Sequence, residues 1–283
     1  MEPRKISYRG RLAPTPTGYL HLGHARTFWA AQERARAKSG ALILRNEDLD
    51  RARCQPEFVR AMLEDLRWFG LAWQEGPDVG GPFAPYNQSE RFFTYRAALE
   101  KLRAGNFVYR CYCSRRDIQS AARAPHAADD EEPMYPGACR SKPPVQNAKF
   151  AWRFRVPEGE AVTFTDNNLG EQRFVAGKDF GDFVIWRNDD IPAYQLACVV
   201  DDAAMQITEV VRGADLLLST ARQLLLYRAL GLNAPEFFHC PLMLDESGRR
   251  LAKRSESLNL RALRERGAGP DELWKGWAGR LPG

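Results

Sequence analysis

No apolar run in this sequence is long enough to span a bilayer. The opening residues, Met1-Glu2-Pro3-Arg4-Lys5, lack the apolar core of a secretory signal. A cytoplasmic protein with no membrane partner is therefore expected. No internal repeat is present, which sets aside solenoid and array architectures. Charge of one sign is in little excess: 41 Lys and Arg face 36 Asp and Glu, a net +5. That balance permits a polyanionic partner such as RNA without establishing one.

The 283 residues suit one sizeable domain with an insertion or appendage, or two compact domains. With 44% hydrophobic and 27% charged residues the chain has an ordinary globular composition, and a monomer is expected. Six cysteines occur, which a cytoplasmic chain keeps reduced. Cys54, Cys198 and Cys240 are scattered and read as small buried apolar residues. Cys111, Cys113 and Cys139 fall close together.

Residues 6–12 read as a first strand, followed by the turn Pro14-Thr15-Pro16-Thr17-Gly18. A helix from about Leu22 to Lys38 closes at Gly40, and Ala41-Leu42-Ile43-Leu44 is a short apolar strand. This is a βαβ unit of the doubly wound type. Helical periodicity returns at 57–69 and 90–103, and a third apolar strand follows at 107–111. Residues 120–147, with the acidic knot Asp129-Asp130-Glu131-Glu132, form a loop or insertion. Residues 150–187 alternate in the β manner and predict a small antiparallel insertion domain. Helix and strand resume at 194–200, 206–211 and 215–230, and the tail is basic up to Arg266 and helical in parts.

Two segments carry chemistry. Arg11-Leu12-Ala13-Pro14-Thr15-Pro16-Thr17-Gly18 leads into His21-Leu22-Gly23-His24 at a helix start. Such a turn aims backbone N–H groups at an anion. Gly23 lets a flat purine approach the backbone, and His21 and His24 offer donors to a triphosphate. Alternatively the two histidines are surface residues or half a metal site, although the H-E-x-x-H of a zincin is absent. Far downstream, Gly248-Arg249-Arg250-Leu251-Ala252-Lys253-Arg254-Ser255 is a cationic loop. It could close over a triphosphate and neutralise leaving pyrophosphate; a basic surface turn is the plainer reading.

Here a resemblance becomes specific. The tetrapeptide at 21–24 resembles the HIGH signature of class I aminoacyl-tRNA synthetases. Residues 11–18 resemble the R-x-A-P-S-P-T-G of their glutamyl branch, with Thr15 in place of Ser. The loop resembles the KMSKS signature in its K-L-S-K-R form, with Arg250 and Ala252 at substituted positions and Lys253 at the second Lys. The resemblance implies an α/β fold of Rossmann type, with a doubly wound parallel sheet. It implies an inserted zinc-containing α+β subdomain and a short helical C-terminal remnant. The chain would divide into catalytic halves at 1–110 and 191–244, an acceptor-type insertion at 111–190, and the lysine loop with tail at 245–283. The implied catalytic residues are His21, His24 and Lys253, with Gly23 beside them against ATP, which is bound with Mg²⁺.

L-Glutamate needs a carboxylate for its ammonium and a guanidinium for its side chain. Glu47 follows the strand 41–44, where ligands sit in open α/β sheets. The segments 193–197 and 210–215 resemble two further parts of the glutamyl pocket. On that match Tyr194 and Arg212 line it, Arg212 holds the γ-carboxylate, and Arg11 and Thr15 complete it. Otherwise Glu47 and Asp48 cap or face solvent, and Arg212 pairs with Asp201, Asp202 or Asp215.

Cys111-Tyr112-Cys113 and Cys139 suit a tetrahedral Zn²⁺ site, one ion per chain. Family resemblance points to Tyr135 as fourth ligand, through a Y-x₃-C pattern; His126 is the chemical rival. Three unligated cysteines are the alternative. That site, and a tail too short for a helical anticodon-binding region, resemble the glutamyl-queuosine tRNA(Asp) synthetases. The resemblance then implies glutamate activation without tRNA and transfer to queuosine in the anticodon loop of tRNA(Asp). Alternatives are a shortened glutamyl-tRNA synthetase charging the 3′ end of tRNA(Glu), a non-catalytic tRNA-binding paralogue, and an unrelated zinc-stabilised RNA-interaction protein.

Overall fold

A computed structural model describes residues 7–114, 116–118, 134–242 and 259–275. The first unit is the expected one. Strand β1 (Arg9–Leu12) enters helix α1 (Leu22–Ala37), and the chain returns as β2 (Ala41–Leu44), parallel to β1 and in register from Arg9↔Ala41 to Leu12↔Leu44. The return is tight: a Cβ on Gly40 would lie 2.4 Å from the Tyr8 carbonyl oxygen, so no other residue fits there without displacing backbone.

Helix α2 (Pro56–Trp68) begins on a proline, whose missing N–H costs nothing in a first turn. Helix α3 (Phe92–Ala104) leads to β3 (Val108–Cys111). After β4 (Ala151–Phe154), β5 (Ala161–Asp166), β6 (Gly170–Val175) and β7 (Phe183–Trp186) come α4 (Tyr194–Ala204) and β8 (Glu209–Gly213). Helix α5 (Leu217–Leu230), strand β9 (Glu236–Cys240), α6 (Leu260–Glu265) and α7 (Pro270–Lys275) complete the described elements. No helix among the described residues is long and apolar enough to cross a membrane.

Strands β8 and β9 run parallel, and the Thr208 N–H donates to the Arg9 carbonyl at 2.9 Å, joining β8 to the β1–β2 pair. Apolar side chains leave both faces. Leu42, Leu44, Val211 and Phe238 pack with α1 and α2, while Ile43, Val210 and Phe237 pack with Tyr86, Met205 and Ile207. Two covered faces explain why β2 is continuously apolar instead of alternating.

In the middle of the chain the strands find partners that the sequence pattern does not name, and one expectation is corrected. Strand β3 does not extend the parallel sheet; it pairs antiparallel with β4, which pairs antiparallel with β7. Residues 150–187 are also not one self-contained sheet. The β5–β6 hairpin joins β9, with Asp166 in parallel register with Phe237. Period-two alternation predicts strands but not partners, and β5 finds its partner far along the chain.

Candidate active site

The C-terminal ends of the parallel strands gather an unusual density of buried charge. Arg45, just past β2, is fully buried and donates to Asp202 and, at 2.9 Å, to Glu47 Oε1. Asp201 receives Arg91 at 2.7 Å, Gln88 at 2.8 Å and Tyr95 at 2.8 Å. Arg11, at the inner end of β1, donates to the Val211 carbonyl at 2.9 Å and lies 3.5 Å from Asp202. Both aspartates come from α4, an otherwise apolar helix. Ionised carboxylates are tolerated there because guanidinium groups from β1, β2 and α3's entry meet them.

Glu47 is buried, its backbone N–H bound to the Pro14 carbonyl at 3.0 Å, so the turn after β1 and the end of β2 are tied together. The Cys198 thiol lies 3.5 Å from Glu47 Oε1. Tyr194, one turn earlier on α4, exposes 38% of its surface. Its hydroxyl is raised above the usual phenol range, first by burial, then by Cys198 and Glu47, against the pull of Arg212 and Arg11. Arg212, on β8, is buried and donates from Nη2 to Thr220 Oγ1 at 2.7 Å and from Nε to His239 Nε2 at 3.2 Å.

Of the five residues expected to hold glutamate, the structure brings Arg11, Glu47, Tyr194 and Arg212 to one place. Thr15 sits exposed on the adjoining turn, its carbonyl accepting from Thr17 N–H at 2.9 Å. Asp48 is structural: it accepts from the Ser89 N–H at 2.8 Å and the Ser89 hydroxyl at 2.7 Å. Arg212 does not pair with Asp201 or Asp202, which the other arginines occupy. The sequence offers Asp201 and Asp202 only as possible partners of Arg212 and assigns no role to Arg45, Thr220 or His239. The one available signal was the pair Asp201-Asp202 after Val199-Val200, two acids on a helix too apolar to be a surface.

His21 is the N-cap of α1, and His24 lies on its first turn with ring centroids 6.2 Å apart. A Cβ on Gly23 would meet nothing within 4 Å, so the glycine serves no packing need of the fold and leaves open space above the helix start. The Leu260 N–H donates to the Leu20 carbonyl at 2.7 Å, and His21 forms an antiparallel bridge with Asn259. The chain that follows the lysine segment is therefore fastened beside His21. Lys253, Arg250 and Ala252 themselves lie outside the described residues, as do His126 and the acidic stretch 120–133.

A second cluster sits on the end of β3. The sulfurs of Cys111, Cys113 and Cys139 all lie within 4.8 Å of one another. Tyr135 Oη stands 3.3 Å from Cys111 Sγ and 3.7 Å from Cys113 Sγ, and accepts the Cys139 N–H at 2.8 Å. The Arg153 guanidinium lies 3.9 Å over the Tyr135 ring. Burial pushes Cys113 up to about 11. At Cys139 burial is outweighed by hydrogen bonds from the Tyr112 backbone, Tyr135 and the other two thiols, which bring it to about 7. Tetrahedral coordination at a Zn–S distance of about 2.3 Å separates sulfurs by about 3.8 Å. The Cys113–Cys139 separation is 3.6 Å. The donor set and spacing suit a metal ion.

Residues 7–278 match the class I tRNA synthetases (E and Q), catalytic domain. A glutamyl-Q tRNA(Asp) synthetase of Symbiobacterium thermophilum is 51% identical over 271 residues, covering 93% of this chain and 83% of the relative. Glutamate–tRNA ligase 1 of Halorhodospira halophila is 44% identical over 276 residues, covering 95% of this chain but 57% of its own length. Among solved structures, a glutamate tRNA ligase from Elizabethkingia meningosepticum in complex with its amino acid superposes with a TM-score of 0.77. It is 32% identical and covers 88% of this chain and 52% of that one. The chain belongs to the class I tRNA synthetases of the E and Q type, among the glutamyl-Q tRNA(Asp) synthetases, and is an aminoacyl-tRNA synthetase-like ligase.

Proposed function

We propose that this chain activates L-glutamate with ATP and Mg²⁺, without tRNA, and transfers the glutamyl group to the queuosine base of tRNA(Asp). The observation that carries the reading is the gathering of buried Arg11, Glu47 and Arg212 at the C-terminal ends of β1, β2 and β8, with the Glu47 N–H tied to the Pro14 carbonyl in the turn that enters His21-Leu22-Gly23-His24. An amino acid with a second carboxylate has a partner there for each charge. Arg212 meets the γ-carboxylate, Glu47 the ammonium, and Arg11, Tyr194 and Thr15 close the pocket.

Activation forms a bond from an α-carboxylate oxygen to the α-phosphorus of ATP and breaks the bond to the β-phosphate, releasing pyrophosphate. No proton moves, so the chain's task is alignment and charge neutralisation. His21, His24 and Lys253 serve the phosphates, and the open space over Gly23 receives the adenine. In the second step an acceptor hydroxyl forms the ester and AMP leaves. The catalytic halves are residues 1–110 and 191–244, the acceptor-type insertion 111–190, and the lysine loop and tail 245–283. Cys111, Cys113, Tyr135 and Cys139 hold one Zn²⁺, which supplies a structural crosslink between β3 and the turn at 135–139.

The test is transfer of labelled glutamate to three RNAs: tRNA(Asp) bearing queuosine, the same tRNA without the modification, and modified tRNA trimmed at its 3′ end. Only the unmodified RNA should fail. Charging of the unmodified RNA, or failure after trimming, would return the chain to the ligases that esterify the 3′ end of tRNA(Glu).

A further inference from the structure

Arg212 and His239 are paired in register across β8 and β9, so their side chains stand on the same face of the sheet. Both flank Phe237: the guanidinium lies 5.6 Å from that ring, and the imidazole stacks on it at 6.3 Å. Behind His239 stands Asp166, the last residue of β5, 2.6 Å from Nδ1. Asp166 and His239 are almost wholly buried. Neither residue has a role in the chemistry described above.

The hydrogen bonds fix the protons. Arg212 Nε carries an N–H and can only donate, so His239 Nε2 presents its lone pair, which the Thr220 hydroxyl 3.1 Å away also faces. The ring proton is then on Nδ1, where it donates to Asp166 Oδ2. Burial and the neighbouring guanidinium push His239 down to about 4, against the pull of Asp166, so the ring stays neutral. Asp166 is itself held: Oδ1 accepts the N–H groups of Asn168 at 3.0 Å and Leu169 at 2.9 Å. With Nε on His239 and Nη2 on Thr220, two of the three guanidinium nitrogens are anchored. Nη1 makes no hydrogen bond among the described residues.

We infer that Asp166 and His239 are positioning residues for glutamate recognition: the carboxylate selects the imidazole tautomer that accepts from Arg212 and so aims the guanidinium at the substrate's side-chain carboxylate. This rests on the reading of Arg212 as the glutamate contact. It also gives the β5–β6 hairpin a function, since the insertion-borne strand supplies the carboxylate that orients a residue of the parallel sheet.

Asp166→Asn separates the two possibilities. The N–H groups of Asn168 and Leu169, with that of His239 at 3.2 Å, require the amide oxygen at the Oδ1 position, which leaves the amide NH₂ facing the His239 ring. It would donate to Nδ1, move the ring proton to Nε2 and set two donors, Nε2–H and Arg212 Nε–H, against each other; the acceptor left to Nε2–H, Thr220 Oγ1, is the one Arg212 Nη2 already uses, so either arrangement shifts the guanidinium. In glutamate-dependent pyrophosphate exchange the variant's KM for glutamate should rise on the order of tenfold to a hundredfold, the scale of a disturbed hydrogen bond to a charged group. Preference for glutamate over glutamine should fall with it, and the KM for ATP should stay. A purely structural role would lower the active fraction, and hence kcat, with glutamate KM and selectivity unchanged; that result would overturn the inference. Nitrogen-15 spectra of the unsubstituted protein provide a second measurement that needs no variant. A neutral ring protonated on Nδ1 is expected for His239, and protonation on Nε2 would overturn the inference. Absence of glutamate-dependent exchange in the unsubstituted protein would instead overturn the activation reading, a failure seen in a different sample.

Discussion

Arg45 and Glu47, two residues apart, form a buried pair with Nη2 2.9 Å from Oε1, and the same guanidinium binds Asp202. The carboxylate assigned to the substrate's ammonium is therefore already half-neutralised by a side chain with no exposure at all. This arrangement fixes the Glu47 rotamer before any ligand arrives, and limits how much negative charge the empty pocket concentrates.

Replacing Arg45 by Met should be severe. It would leave Glu47, Asp201 and Asp202 with only Arg11 and Arg91 in a site where three guanidinium groups meet three carboxylates, and breaking a buried pair costs about 3–5 kcal/mol. Denaturant titration should show a loss of that size. A loss below about 1 kcal/mol, the worth of an exposed pair, would mean that Arg45 is not the neutralising centre of this cluster.

Lys253→Ala tests the phosphate-facing loop. A cation that touches only the departing pyrophosphate contributes in the transition state, so kcat should fall by about 10²-fold or more. Folding should be unaffected, as judged by an unchanged melting temperature. Exchange at the undiminished rate would detach the cationic segment from the chemistry.

Acid should loosen the joint between α1 and β8. Glu209 accepts from Arg34 Nε and Nη2, both at 2.7 Å, from the Tyr8 hydroxyl at 2.8 Å and from Asn167 at 2.9 Å. Burial raises this carboxyl, but those hydrogen bonds prevail and hold it at about 2, against an ordinary 4.5. Between these values the unfolded chain takes up a proton that the folded chain refuses. Stability from this group is complete above about pH 4.5 and is lost as pH falls towards 2. In Glu209→Gln the melting temperature should be lower at neutral pH and should vary less with pH across that window. An unchanged pH slope in that variant would assign the acid sensitivity elsewhere.

How far the sequence reached depends on whether the relevant physics is local. The strand Ala41–Leu44 and the helix Leu22–Ala37 announce themselves through apolar pattern and turn chemistry within a few residues. Glu47 was found because it follows such a strand. Arg45, two residues earlier, heads the same segment, but nothing near it in sequence marks it as buried. Asp201 and Asp202, brought in by a helix from far along the chain, join Glu47 in making its burial possible. His239 and Asp166 were invisible for the same reason: each lies in an ordinary β pattern, and their relation exists only once β5 lies against β9. The three cysteines were legible as a group because chemistry, not packing, sets their type. That Tyr135 Oη lies among the sulfurs required coordinates.

The metal site yields the sharpest composition test. Three sulfurs and one phenolic oxygen lie close enough to share a tetrahedral ion. Burial and the three thiols raise the Tyr135 hydroxyl above the ordinary phenol range, so a metal held there would have to displace its proton. Purified protein should contain about one zinc per chain, as such sites do. Cys111→Ser and Cys139→Ser should each lose it, because a neutral hydroxyl is a poor replacement for a thiolate. Tyr135→Phe is the informative change. If the oxygen is a ligand, affinity should fall while the three thiolates still retain metal weakly, and a chelator should strip the variant faster than the unsubstituted protein. If Tyr135 only packs, stripping rates will be equal, and the fourth ligand must come from elsewhere, with His126 the first to substitute. In every variant the β1–α1–β2 unit should keep its fold, since none of the four residues contributes to the core that Leu42, Leu44 and Phe28 build. Stoichiometric zinc in the Cys111→Ser, Cys139→Ser double variant would show that the metal is held by other residues.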